Sequence, residues 1–179
     1  MQFTRLIVLI RHGETEWNRS GVLQGWRDSR LTKNGIGQIH RSAKKIVKYQ
    51  SSTPFPIYTS DLGRSLSSAR ILANDLGGYL VVDKRLRERG FGELEGKPLG
   101  AELAQKNKKM PETLECYHLR IREFIATVTR QKSDQPVIVI GHGEWIRSWQ
   151  KMYIGDVGLA LPKNGDIIVG ELESRKKAS

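Results

Sequence analysis

The chain has 179 residues, of which 38% are hydrophobic and 27% are charged. This size suits one soluble globular domain with a substantial core, and no apolar stretch approaches the roughly 20 residues that a membrane-spanning helix needs. The one cysteine, Cys116, excludes a disulfide within the chain, and we expect a partly buried structural thiol at this position.

Positive charge dominates the composition, because 30 Lys and Arg residues against 19 Asp and Glu residues give a net charge of +11. A field of this sign attracts anions, from phosphorylated metabolites to nucleic acids. The sequence has no recognisable nucleic-acid-binding module, and its few aromatic residues are not interleaved with basic ones, so we do not expect specific nucleic-acid binding. Much of the charge falls on predicted solvent-facing helix positions, such as Lys33, Arg41, Lys44, Lys45 and Lys48.

The start of the chain does not resemble an export signal. Only five apolar residues, 6–10, precede Arg11, and no small-residue cleavage site follows them. We therefore expect a cytoplasmic protein that does not associate with membranes.

In chain order, the first predicted elements are a strand and a helix. The apolar run Leu6–Ile10 is typical of a buried strand. Thr32 is a good N-cap for the helix that follows. Gly35 and Gly37 weaken the first turn of this helix, which indicates that another part of the chain packs closely against it.

A second strand and a second helix come next. Pro56–Thr59 predicts the strand, and either Ser60 or Asp61 can cap a helix that runs to about Leu76. Two glycines end this helix, and Tyr79–Val82 predicts a third strand.

The second half begins with an irregular, glycine-rich loop over 85–98. A fourth strand is predicted at Val137–Ile140, a helix begins soon after Gly143, and a last strand lies at Ile167–Val169. Because strands and helices alternate, the sequence predicts an α/β fold with a mostly parallel sheet covered on both faces. Before the fourth strand, a helix with one apolar face is predicted from Leu114, Tyr117, Ile121, Ile125 and Val128.

Two of the predicted strands end in the dipeptide His-Gly, at His12-Gly13 and at His142-Gly143. If the two strands are neighbours, both imidazoles lie at one edge of the sheet, where α/β folds bind ligands. Arg11 beside His12 suits a phosphoryl group, because the guanidinium can hold its oxygens while the neutral ring nitrogen attacks. The alternative is a capping loop in which His12 has no chemical role.

The run Arg11–Thr15 resembles the signature of the histidine phosphatase superfamily, which has the phosphoglycerate-mutase-like fold. The resemblance extends from about residue 5 to residue 150 and implies a three-layer α/β/α sandwich. It also implies one domain over 1–179, in which no domain boundary is recognisable. Because the segment 173–179 is polar, we expect a frayed basic tail there. The further similar segments are Trp17-Asn18, Gly25–Asp28, Ser60–Leu62 with Arg64, Glu88–Gly96 and Gly141–Gly143.

The resemblance also implies roles for individual residues. His12 would be the nucleophile, Arg11 and Arg64 would bind the phosphoryl oxygens, and His142 would donate a further hydrogen bond to them. Glu88 would act as general acid toward the leaving oxygen and then as base toward water.

Two more residues complete the implied phosphate site. Asn18 matches a position that contacts the phosphate or orients the loop. Gly143 would bring backbone amides close to the ligand.

Several of these assignments have alternatives. Taken alone, Arg64 suits a solvated helix position, and Glu88 suits a surface ion pair. Glu93 and Glu95 compete for the role of the acid, and Trp26 either lines the pocket or packs.

Three positions depart from the family pattern, namely Arg30, Ser67-Ser68 and Glu144. None of the three removes a proposed catalytic group. Glu144 places negative charge near the anion site, which leaves the substrate preference open.

The resemblance leaves three functions open. Phosphoglycerate mutases carry a longer insertion after the acid-bearing loop than the short stretch Leu99–Pro111 here, which favours a phosphatase acting on a small phosphorylated metabolite. The alternatives are phosphoglycerate mutase-type transfer and a non-catalytic module that binds a phospho-ligand or a protein. No cofactor is required and no metal-ligand cluster is recognisable. The substrate and the oligomeric state stay open.

Overall fold

The computed structural model describes residues 4–49, 54–100, 112–131, 133–155 and 160–173. Within these residues the strands form one five-stranded sheet in the order β3-β2-β4-β1-β5, and only β5 runs antiparallel to its neighbour. The predicted α/β fold with a mostly parallel sheet is therefore confirmed. The strands are β1 (Thr4–Arg11), β2 (Pro56–Thr59), β3 (Tyr79–Val82), β4 (Val137–Gly141) and β5 (Ile167–Glu173).

Helices cover both faces of the sheet. Helices α2 and α3 pack on one face and α4 and α5 on the other, which gives the three layers. Short 3-10 turns at Val47–Tyr49, Lys84–Leu86 and Gly92–Leu94 join some of these elements. The helices are α1 (Glu16–Arg19), α2 (Lys33–Ile46), α3 (Gly63–Leu76), α4 (Leu114–Thr129) and α5 (Gly143–Tyr153). None of the described helices is long and apolar enough to cross a membrane.

Strand β1, which lies between β4 and β5, is apolar at every position from 6 to 10 because both of its faces are covered. Ile7 and Leu9 belong to the core beneath α4 and α5, whereas Val8 and Ile10 belong to the core beneath α2 and α3. The period-two alternation of a strand thus sends successive side chains into two different cores.

The pairing of β1 with β4 determines where the site lies. Arg11 is the register partner of Gly141, and the His12 amide donates to the Gly141 carbonyl at 2.9 Å. The two His-Gly dipeptides therefore end neighbouring parallel strands at the same edge of the sheet, as the sequence predicts.

The N-cap predicted for α3, at Ser60 or Asp61, is wrong. Leu62 is the N-cap residue of α3 and makes no side-chain capping bond. Instead, the Asp28 carboxylate accepts the Gly63 amide at 2.6 Å and the Arg64 amide at 3.3 Å. Ser60 and Asp61 do not cap because their side chains bond to other elements.

Three smaller predictions need correction. Leu114 is 52% exposed, because it begins α4 on the solvent side, and Phe124 completes the buried face instead. Cys116 is exposed and not partly buried, since it lies in the same outward first turn. The last strand runs on to Glu173, and the rest of the predicted tail, 174–179, lies outside the described residues.

The first turn of α2 packs directly against the loop that follows β1. A Cβ at Gly35 would lie 2.1 Å from the Glu14 carbonyl oxygen, and a Cβ at Gly13 would lie 2.4 Å from the Gly35 oxygen. The close packing predicted at Gly35 is confirmed. Gly37 differs, because its Cβ would meet only the flexible end of Arg41, at 3.3 Å.

These two glycines provide a matched test of the packing. Gly35→Ala should lower the free energy of unfolding by about 2 kcal/mol, because the methyl group must displace backbone. Gly37→Ala should raise it by up to about 1 kcal/mol, because alanine is the better helix former. Urea unfolding of both variants measures the difference, and equal effects would contradict the packing described.

Candidate active site

The ring of His12 is held in one tautomer by contacts on both of its nitrogens. Nδ1 lies 2.8 Å from the Gly13 carbonyl oxygen, which can only accept, so Nδ1 carries the proton. On the other side, Arg64 Nε donates to Nε2 at 3.2 Å. The lone pair therefore lies on Nε2. Burial, followed by the charges of Arg64 and Arg11, lowers the pKa of His12 well below its usual range, which keeps the ring neutral.

Arg64 lies beneath the imidazole, on the first turn of α3, and is only 2% exposed. Besides His12, its guanidinium donates to the carbonyls of Gly25 at 2.7 Å and Arg27 at 2.8 Å, and to the Asp28 carboxylate at 2.9 Å. Burial lowers the pKa of Arg64, while Asp28 and Glu88 raise it. The alternative of a solvated helix arginine is wrong, because the loop 25–28 encloses the guanidinium.

Arg11 stands at the end of β1 and points across the sheet edge. Its Nη1 donates to the Pro162 carbonyl at 2.6 Å, while its buried Nε has no partner among the described residues. Gly143 makes room for this side chain, because a Cβ there would lie 3.3 Å from Arg11 Cζ and 3.0 Å from Leu161 Cδ1. The site thus keeps an unused buried donor beside the two imidazoles.

His142 lies next to His12, with ring centroids 5.3 Å apart and edge-to-face geometry. Its Nε2 is 2.7 Å from Ser60 Oγ, and its buried Nδ1 has no partner in the described part of the chain. If Ser60 donates, Nδ1 carries the proton and can donate to a ligand. Burial, followed by the charges of Arg64 and the other nearby groups, lowers the pKa of His142 well below its usual range.

Glu88 is fixed by three donors from three directions. Oε1 accepts the Arg89 amide at 2.9 Å and the Tyr117 hydroxyl at 3.1 Å, and Oε2 accepts the Glu144 amide at 3.1 Å. Burial and the Glu88 carboxylate raise the pKa of Tyr117 well above its usual range, so the phenol stays protonated and donates. Glu88 is therefore not paired with Arg87, which binds Asp61 instead.

Glu95, which competes with Glu88 for the role of the acid, and Glu144 have other partners. Glu95 is buried and its Oε1 accepts the backbone amides of Trp26, Phe91 and Gly92, so it organises the loop. Glu144 binds Arg147 through both oxygens, and burial together with nearby Glu88 raises its pKa.

Asn18 and Trp26 lie at the edge of this arrangement. Asn18 Oδ1 accepts the Thr15 amide at 3.2 Å and Asn164 Nδ2 at 3.1 Å, while Asn164 Nδ2 also donates to the His12 carbonyl at 3.0 Å. Asn18 thus orients the loop. Trp26 is 45% exposed and its indole donates to the Glu88 carbonyl at 2.8 Å, so it flanks the acid-bearing loop at the surface.

Sequence reasoning missed four contacts that complete the site. Ser68 Oγ accepts the Gly13 amide at 3.1 Å, although the sequence marked this serine only as a departure from the family pattern. The roles of Ser60, Tyr117 and Asn164 were also missed. A hydroxyl on the otherwise apolar face of α4 was the available signal for Tyr117, because a buried phenol needs a partner. Among the described residues, no group of three His, Cys, Asp or Glu side chains could hold a metal ion.

The buried neutral imidazoles should make stability depend on pH. In the unfolded chain each histidine titrates near its usual pKa of about 6.5, whereas the folded pKa values of His12 and His142 lie well below it. Below about pH 6.5 the unfolded state binds more protons, so the free energy of unfolding should fall as the pH falls.

His12→Gln and His142→Gln test this linkage. Each should flatten the slope of stability between about pH 6.5 and 5, by up to about 1.4 kcal/mol per pH unit. Urea unfolding at a series of pH values measures the slope. Variants with the slope of the wild type would contradict burial of neutral rings.

Comparison with known proteins identifies the family. The model of the histidine phosphatase superfamily (branch 1) matches residues 7–163. A probable phosphoglycerate mutase, GpmB, of Yersinia pestis is 45% identical over 93 residues, which cover 52% of this chain and 42% of the relative. The match thus spans less than half the length of that relative.

Solved structures are similar over nearly the whole chain. A mycobacterial glucosyl-3-phosphoglycerate phosphatase in complex with VO3 has 26% identity and a TM-score of 0.77, over 92% of this chain and 90% of that one. Mycobacterial hydrolase 1 has 25% identity and a TM-score of 0.78, over 94% and 92%. Because the family model spans most of its length, the chain belongs to the histidine phosphatase superfamily.

Proposed function

We propose that the protein is a phosphatase that hydrolyses a small phosphomonoester through a phosphohistidine on His12. The observation that carries this proposal is the tautomer of His12, whose Nδ1 proton binds the Gly13 carbonyl and whose Nε2 keeps its lone pair, which accepts from Arg64 Nε. A neutral ring with a fixed lone pair is the form that attacks phosphorus.

The first step would transfer the phosphoryl group to the enzyme. Nε2 of His12 bonds to phosphorus as the bond from phosphorus to the leaving oxygen breaks, and Glu88 gives its proton to that oxygen. Arg11, Arg64 and His142 supply donors to the equatorial oxygens, where negative charge concentrates. The buried, unpartnered Arg11 Nε and His142 Nδ1 support this role.

The second step would return the enzyme to its starting state. Glu88, now a carboxylate, takes a proton from water as the water oxygen attacks phosphorus. The bond from phosphorus to Nε2 breaks, inorganic phosphate leaves, and Glu88 is again protonated. This cycle needs no cofactor, and the small phosphorylated metabolite is the only partner that we propose.

Hydrolysis is favoured over mutase-type transfer by two arguments. The stretch Leu99–Pro111 between the acid-bearing loop and α4 has few residues, which favours access of water to the intermediate; its residues 101–111 lie outside the described part of the chain. The similar solved structures include a glucosyl-3-phosphoglycerate phosphatase that matches over 92% of the chain. The match to the probable phosphoglycerate mutase covers about half of this chain, so transfer is the second candidate.

The intermediate can be trapped. Wild-type enzyme mixed with 4-nitrophenyl phosphate and quenched in alkali should carry an alkali-stable, acid-labile phosphoryl group. His12→Ala should carry none and should lose turnover by at least about 10³-fold. His40→Ala, which removes an exposed imidazole from α2, is the matched control. Turnover that survives in His12→Ala would overturn the assignment of the nucleophile. A wild type that neither turns over nor forms a phosphoenzyme would instead favour the non-catalytic binding module.

The second measurement separates hydrolysis from transfer. With 3-phosphoglycerate, the wild type should release inorganic phosphate faster than it forms 2-phosphoglycerate, because water reaches the open intermediate. Phosphorus NMR follows both products in one sample. Faster interconversion than release would replace the phosphatase with a mutase. A phosphate-release screen over phosphorylated metabolites, with His12→Ala as blank, then identifies the substrate.

A further inference from the structure

Arg120 on α4 binds the backbone of the acid-bearing loop at three points. Its Nη1 donates to the carbonyls of Arg85 at 2.8 Å and Arg87 at 2.5 Å, and its Nη2 donates to the Glu88 carbonyl at 2.9 Å. One guanidinium thus holds three carbonyls of a four-residue stretch that ends at the proposed acid. Hydrogen bonds from a charged donor are the strong ones in proteins.

Glu112 completes this arrangement from the other side of the acid. Its carboxylate accepts Arg120 Nε at 2.6 Å and Nη2 at 3.0 Å, a bidentate pair, and its Oε2 also accepts the Gly90 amide at 3.0 Å. The Arg120 side chain is 15% exposed and that of Glu112 is 11% exposed. The pair therefore joins the carbonyl of Glu88 to the amide two residues later, largely shielded from water.

The same helix holds the side chain of the acid. Tyr117 lies one turn before Arg120, its ring is 4.5 Å from the guanidinium carbon, and its hydroxyl donates to Glu88 Oε1. Helix α4 therefore fixes the backbone of Glu88 through Arg120 and its carboxylate through Tyr117.

We propose that Arg120 and Glu112 form a positioning pair that aims the Glu88 carboxyl at the leaving oxygen. This inference rests on the proposed function, because it takes Glu88 to be the general acid. The pair touches no reacting atom and acts only through the loop. A displacement of about 1 Å at a catalytic group can cost about 10²-fold in rate.

The leaving group separates positioning of the acid from general structural damage. Phenyl phosphate has a poor leaving group that needs the proton of Glu88, whereas 2,4-dinitrophenyl phosphate has a good one that leaves without it. The measured quantity is kcat/KM, which reports the steps up to the phosphoenzyme. Arg120→Ala should lose about 30- to 100-fold on phenyl phosphate and less than about 3-fold on the dinitrophenyl ester.

Three further variants sharpen the test. Arg120→Lys keeps the charge but cannot form the planar fork, so it should also lose activity on phenyl phosphate selectively. Glu112→Gln should show a smaller loss of the same kind. Arg122→Ala removes an exposed arginine from the same helix and should leave both substrates unaffected.

The double variant Glu88→Gln/Arg120→Ala tests whether Arg120 acts through Glu88. If it does, kcat/KM of the double variant on phenyl phosphate should be no lower than that of Glu88→Gln alone. Arg120 then has no acid left to position. Additive losses would overturn the inference, as would an equal loss of Arg120→Ala on both substrates.

The failure of this inference can be told from the failure of the proposed function. If Glu88→Gln loses activity selectively on phenyl phosphate but Arg120→Ala does not, the proposed positioning role of Arg120 and Glu112 is wrong. The role of Glu88 as the acid is then kept. If Glu88→Gln itself shows no discrimination, Glu88 is not the acid and the positioning pair falls with it, whereas the nucleophile His12 is tested separately by trapping the phosphoenzyme.

Discussion

The parallel pairing of β1 with β4 is the constraint on which the rest of the site depends. Arg11 and Gly141 are the last paired residues of the two strands, and a histidine follows each of them. The two imidazoles therefore lie at one edge of the sheet, with ring centroids 5.3 Å apart. That pairing is itself fixed by burial, because a slip by one residue would exchange the side chains of the two cores and bring Arg11 into the sheet. The core therefore sets the geometry of His12 and His142 before any polar contact does.

Burial at this edge then sets the charge states. His12 and His142 are buried beside two guanidiniums, so both rings are neutral, while Arg64 has Asp28 as a counterion. Arg11 Nε and His142 Nδ1 remain buried without partners among the described residues. A buried donor left unpaired costs roughly 1–3 kcal/mol, and a phosphoryl group would supply the missing acceptors. On the proposed function, Arg11 Nε and, where Ser60 donates to Nε2, His142 Nδ1 are the donors that the phosphoryl oxygens would meet.

Sequence patterns predict the strands, the edge of the sheet and the pair of histidines at that edge. The spacing of apolar residues and the residues that end a strand are local signals, so they can be read from neighbouring positions in the chain. They could not give Asp28 as the cap of α3, since that contact joins residues 35 positions apart and leaves Ser60 available to His142. Nor could they give Tyr117 and Arg120 as partners of Glu88 and its loop. Those contacts arise only when α4 packs on the sheet. The hydroxyl on the apolar face of α4 signals that Tyr117 needs a partner, but it does not indicate which one.

The phosphate side and the leaving-group side of the site are held mainly by different elements. The proposed phosphate ligands come from the edge formed by β1, α3 and β4, whereas Glu88 is held by α4 and by one amide of α5. In the described part of the chain, two contacts to Glu88 link these two sides: the Glu144 amide, two residues after His142, donates to the Glu88 carboxylate, and the Trp26 indole, from the loop that holds Arg64, donates to the Glu88 carbonyl. Because Tyr117 and Arg120 hold Glu88 and its loop but do not contact His12, a change at the leaving-group side can leave the geometry at His12 unchanged, except where it reaches the loop 25–28 through Trp26 and Glu95.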